Sequence, residues 1–129
     1  MKRLKPGAEA RVIAKKASVA KYRAIPTVID GIRFDSRAEA FRYSELLLLQ
    51  KAGKIKDLQV HPVFELLPKM IGPYGVKLRA VKYEADFQYL EEGSLVVEDV
   101  KGMETPIFRL KLNLFLRKYP NIDMRIVKP

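Results

Sequence analysis

With 129 residues, 48% of them apolar, the chain can bury a core without staples, and its lack of cysteine excludes disulfides and thiolate zinc sites. Its net charge of +10 is uneven: residues 1–29 hold eight Lys/Arg (Lys2, Arg3, Lys5, Arg11, Lys15, Lys16, Lys21, Arg23) against one acid, Glu9, whereas the other 100 residues hold 17 basic and 14 acidic groups. A basic arm on a nearly balanced body points to a polyanionic partner, and the longest apolar run, Leu46 to Leu49, is far too short to span a membrane.

Residues 1–24 lack a sustained hydrophobic period and are expected to form a mobile arm, helical in part around Ala8–Ala20; residues 25–129 form the body. Ile25 to Phe34 reads as a short hairpin turning at Asp30-Gly31. Asp35-Ser36 starts a helix that runs to about Ala52 and stops at Gly53. Ile55–Val60 reads as a connection and His61–Leu67 as a strand. Gly72-Pro73-Tyr74-Gly75 is a turn. Val76–Leu90 alternates, with Val81, Tyr83, Ala85, Phe87 and Tyr89 on one face and Lys82, Glu84, Asp86 and Gln88 on the other. Glu91–Ser94 turns the chain into a strand over Leu95–Lys101, apolar on both faces and therefore central. Thr105-Pro106 caps a second helix with Ile107, Leu110, Leu114 and Phe115 at helical spacing, and Asp123–Val127 is a last strand. The order helix, three strands, helix, strand makes the class mixed α/β around a small sheet.

Alternation along a strand puts Asp99 and Lys101 on one face, about 6.6 Å apart along the backbone, with Val100 opposed to them. Asp99 shares that face with Leu95 and Val97, so its carboxylate needs a partner: lysine, metal or hydrogen bonds. Pairing about the centre of the Glu91–Ser94 turn sets Asp86 opposite Asp99. Two carboxylates and an ammonium then converge, a set that suits Mg²⁺ and a positioned water. Glu39 admits two roles, a capping box with Ser36 and a place at the site. Glu98 points away from Asp99 and reads as structural. His61 is the only histidine; one histidine cannot make a histidine-based metal site, and its place before Pro62 reads as structural. No glycine-rich phosphate loop occurs, which argues against a nucleotide cofactor.

Phe34-Asp35-Ser36-Arg37-Ala38-Glu39-Ala40, Ala85-Asp86-Phe87 and Val97-Glu98-Asp99-Val100-Lys101-Gly102 together resemble the motifs of the PD-(D/E)xK nuclease superfamily. Within it the chain is most similar to small phage-type Holliday junction resolvases and related phage endonucleases, over about residues 30–127. Ala85 stands where the superfamily's name has proline, and Glu98 beside Asp99 leaves the second ligand open to a shift by one. The resemblance implies a restriction-endonuclease-like α-β-β-β-α-β core, a central mixed sheet flanked by helices. It implies that Asp86, Asp99, the Val100 carbonyl and Glu39 hold Mg²⁺, with Mn²⁺ able to substitute, and that Lys101 positions the attacking water or stabilises developing charge. The implied activity is resolution of four-way junctions in double-stranded DNA by paired symmetric nicks. A homodimer would make them, in the cytoplasm (the host's, if the chain is phage-encoded), with the arm's basic residues, Arg109 and Lys111 on the DNA. A sequence-specific or flap-type nuclease and a noncatalytic nucleic-acid-binding module are the alternatives.

Overall fold

The computed structural model describes residues 2–3 and 26–129. The expected arm, its helical part and the side chains of its eight cations lie outside the described residues, apart from the backbone of Lys2–Arg3. That dipeptide forms β1, a strand the sequence reading did not place. It pairs antiparallel with the last strand, covering an edge whose amides and carbonyls would otherwise stay open.

β2 (Thr27–Ile29) and β3 (Ile32–Phe34) form the expected hairpin. Asp30 and Gly31 have φ of 53° and 77°, the two left-handed residues that a tight hairpin turn requires. Helix α1 spans Arg37–Lys51; the Ser36 hydroxyl accepts the Glu39 amide at its start, and Gly53 ends it at φ 80°. Ala40, Tyr43 and Leu46 face inward, and the Tyr43 hydroxyl donates to Asp30 at 3.0 Å, tying α1 to the hairpin.

The segment after α1 is a strand and not a connection: β4 (Lys56–Val60) pairs antiparallel with β9. Its signal is hidden by a bulge between Lys56 and Gln59 with Asp57 at φ 53°, which breaks the alternation. β5 (Val63–Leu67) pairs with β8 (Val81–Glu84), and β6 (Met70–Ile71) with β7 (Lys77–Leu78), in two ladders separate from the main sheet. β9 (Phe87–Glu91) and β10 (Ser94–Val100) turn at Glu92-Gly93, and helix α2 (Pro106–Lys118) leads to β11 (Asp123–Val127). The main sheet runs β1-β11-β10-β9-β4, with β10–β11 parallel and the other pairs antiparallel. The class is mixed α/β around a mixed central sheet. Among the described residues, no helix is long and apolar enough to cross a membrane.

Two expected faces differ from the structure. The run Val76–Leu90 is not one strand: the chain breaks at Ala85-Asp86, where it leaves the β5–β8 ladder for the main sheet. Tyr83 and Ala85 therefore pack in the core under α2, whereas Phe87 and Tyr89 pack in the core under α1. On α2 the buried stripe is Phe108, Leu112 and Phe115; Ile107 and Leu110 are exposed. Thr105 caps the helix as expected, its hydroxyl accepting the Phe108 amide.

β10 is buried on both faces from Val96 to Val100. Glu98 sits on the α1 side with no solvent exposure. The Arg42 guanidinium reaches it with two parallel bonds, Nε to Oε1 at 2.8 Å and Nη2 to Oε2 at 2.7 Å, and the Tyr89 hydroxyl donates to it as well. The bond to Glu98 pushes the Arg42 pKa up, so the guanidinium stays charged. Removing one partner strands a buried charge. Arg42→Ala is expected to lower the unfolding free energy by about 3–5 kcal/mol, read by denaturant titration. A loss under about 1 kcal/mol would mean that water reaches Glu98.

Candidate metal centre

The expected convergence occurs at one end of the sheet, where β4 and β10 finish and β9 begins. The β9–β10 register runs from Ser94↔Glu91 to Glu98↔Phe87, so Asp86, one residue past the ladder, lies beside Asp99. The backbone of Asp86 is held from both sides: its amide donates to Glu98 O at 3.1 Å and its carbonyl accepts the His61 amide at 2.9 Å. Its Oδ2 accepts the Val100 amide at 2.7 Å.

Asp99 is 2% exposed. The Tyr83 hydroxyl donates to its Oδ2, and the Lys101 ammonium stands 3.2 Å from its Oδ1. That ammonium also lies over the Phe108 ring, 4.7 Å from the centroid, so α2 as well as β10 fixes it. Glu39 enters from the first turn of α1. Its carboxylate oxygen, an oxygen of Asp86 and a ring nitrogen of His61 lie within 4.8 Å of one another.

Burial pushes the Asp86 carboxyl up to about 8, and the neighbouring Asp99 charge adds to the shift against the Val100 amide. Burial also raises Asp99, opposed first by Lys101. Glu39 is raised by burial and by Asp35, with the Asp35 backbone hydrogen bond opposing. The Tyr83 phenol is pushed up by burial and by Asp99, so it remains a donor. Among the described residues, three carboxyl groups thus face one ammonium. Such a cluster is short of positive charge, and its oxygens are the donors that a hard divalent cation takes.

The structure therefore brings together Glu39, Asp86, Asp99, Lys101 and the Val100 backbone. Arg109 and Lys111, on α2, make no ion pair among the described residues. His61 joins the group although the sequence reading set it aside. It does so as one nitrogen among carboxylates, not as a histidine-only site, and its φ of 58° marks a backbone position that few non-glycine residues adopt. The alternation placed Tyr83 on the face opposite Asp86, yet its hydroxyl serves the site. The Ser36–Glu39 cap is half formed: the Glu39 amide uses Ser36, while the Glu39 side chain stays with the acidic cluster.

Residues 19–129 match the model of a family described as a protein of unknown function, DUF1064. The chain belongs to that family. No curated protein and no solved structure matches it. Membership of DUF1064 assigns no chemistry.

The raised Asp86 carboxyl links the site to stability. Its folded pKa, about 8, lies above the ordinary value of 3.8, so the folded chain holds a proton that the unfolded chain releases between those limits. The stabilisation from Asp86 is complete below about pH 4 and is lost as pH rises through 8. In chelator-treated protein, the stability difference between wild type and Asp86→Asn should shift in favour of the variant across that window. A difference independent of pH would show an ordinary carboxylate.

Proposed function

We propose that this protein is a metal-dependent endonuclease of the PD-(D/E)xK type acting on branched double-stranded DNA. The observation that carries the reading is the charge balance of the centre: Glu39, Asp86 and Asp99 around one ammonium, that of Lys101, among the described residues. One divalent cation, displacing the Asp86 proton, would bring that set to neutrality. The buried carboxylates fit Mg²⁺ or Mn²⁺, and the His61 nitrogen favours Mn²⁺. Asp86, Asp99 and Glu39 would hold the ion, with the Val100 carbonyl helping. When bound, the cation supplies charge neutralisation at the scissile phosphate and acidifies a water ligand.

The chain's own groups do the rest. Tyr83 and the Val100 amide each occupy one carboxylate oxygen, which fixes the rotamers of Asp99 and Asp86; the second oxygen of Asp99 faces the Lys101 ammonium, so an ion there would share it. Lys101, about a third exposed, presents its ammonium on the Asp99 side, where it would orient the attacking water and offset charge on the phosphate. The chain order of helix α1, main-sheet strands β4, β9 and β10, helix α2 and strand β11 supports the resemblance to an α-β-β-β-α-β nuclease core. The +10 charge supports a DNA partner. A centre of this kind cuts one strand at a time, so paired nicks about a four-way junction call for a homodimer.

Two measurements test the reading. In thermal unfolding at pH 8, Mn²⁺ and Mg²⁺ should raise the melting temperature of the wild type and not of Asp86→Asn or Asp99→Asn, since an ion that binds only the folded state stabilises it. In a cleavage assay on junction and linear duplex of equal length, the wild type should cut the junction in paired nicks. The two Asn variants should bind it without cutting, and Lys101→Ala should lose rate by roughly 10²–10⁴-fold. Metal-dependent cutting by both Asn variants would overturn the centre. Equal cutting of linear duplex would overturn the junction preference and leave the centre standing.

A further inference from the structure

Between Glu65 and Glu84 the chain carries four basic residues, Lys69, Lys77, Arg79 and Lys82, and no acid. This stretch folds as an arm, the β5–β8 ladder at its base and the β6–β7 ribbon beyond it. All four residues of the ribbon are exposed, Met70, Ile71 and Leu78 among them, and Lys69, Lys77 and Arg79 are exposed without ion pairs among the described residues. At the tip, Gly72-Pro73-Tyr74-Gly75 turns with Tyr74 at φ 57°, and the tyrosine is fully exposed. A two-stranded ribbon with solvent on both faces is marginal in water, and apolar side chains left uncovered on it call for a partner.

We propose that this ribbon is a nucleic-acid-binding element separate from the metal centre. Lys69, Lys77 and Arg79 contact phosphates, and Tyr74 stacks on an unpaired base of the kind that a branch point or a single-stranded end presents. The choice of partner rests on the nuclease reading; the element itself rests on the ribbon. Charge decides between DNA and a second copy of the chain. A twofold contact through the ribbon would set one copy's cations against the other's with no acid between them, whereas phosphates complement them. The shape agrees, because the major groove of B-DNA admits a two-stranded ribbon. The seven steps from Lys77 to Glu84, at about 3.3 Å each, span on the order of 20 Å, so the tip meets DNA well away from the bond held at Asp86 and Asp99. The base of the arm is anchored at that centre through the Tyr83 hydroxyl on Asp99.

The chain has no tryptophan, so Tyr74→Trp places a single reporter at the tip. Binding is measured in chelator, which separates it from cutting. Adding a junction or a duplex with an unpaired base should quench Tyr74→Trp emission and shield it from acrylamide; blunt linear duplex should do so less. Tyr74→Ala should weaken binding of the unpaired-base DNA on the order of 5- to 100-fold. The triple change Lys69→Gln, Lys77→Gln, Arg79→Gln should lower the slope of log affinity against log salt by about two to three. Circular dichroism confirms that each variant is folded. Unchanged emission with wild-type affinity and slope would overturn the ribbon proposal while the nuclease reading stands. A change in oligomer mass with DNA affinity preserved would overturn it too, assigning the ribbon to contacts between copies. Failure of the wild type to bind any DNA would overturn both.

Discussion

The constraint on which the rest of this fold depends is a central strand, β10, that carries two adjacent carboxylates into the core, one on each face. Both faces of the strand are covered, so neither Glu98 nor Asp99 can be left to water. The two are handled differently. Glu98 receives a guanidinium with two parallel bonds and a phenol, which satisfies a carboxylate fully. Asp99 receives one phenol and one ammonium and sits beside Asp86, so its surroundings remain short of positive charge. Adjacent residues on one strand thus become a structural ion pair and a candidate ligand, because alternation sends them to opposite cores.

The break at Ala85-Asp86 makes the second environment possible. If the chain had continued as one strand from Val81 to Glu91, Tyr83 would have faced the same side as Phe87 and its hydroxyl would not meet Asp99. The break lets β8 pair with β5 and β9 with β10, so that Tyr83 arrives from under α2. It also frees the Asp86 side chain to turn onto the Val100 amide. The same corner accepts the His61 amide, which brings the imidazole to Glu39. One irregularity therefore positions three of the groups in the cluster.

Two basic regions lie apart from this corner in sequence: the first 29 residues and the ribbon between Glu65 and Glu84. The centre itself is acidic. On the proposed reading, a polyanion held by these cations would need a metal ion between its phosphates and the acidic corner, which links the basic regions to the proposed ion.

Features governed by near neighbours were legible in the sequence. The turns at Asp30-Gly31 and Glu92-Gly93, the caps at Ser36 and Thr105 and the stop at Gly53 depend on residues one to four apart. The Asp86–Asp99 approach was legible too, because a tight turn sets the register of the strands it joins. What required the tertiary structure lies between residues far apart in the chain. Arg42 and Glu98 are 56 positions apart, and no local pattern pairs them. β4 was hidden by its bulge, the switch of faces at Ala85-Asp86 by an alternation that continues unbroken in the sequence, and His61 by being alone of its kind. The inward face of α2 also followed from the tertiary structure: Ile107 and Leu110 have the same period as Phe108 and Leu112, and only the position of the sheet decides which stripe is buried. Local sequence determines turns, caps and register through short-range sterics and hydrogen bonds; long-range burial decides which charges meet, because the cost of leaving a charge unpaired arises only once the layers close over it.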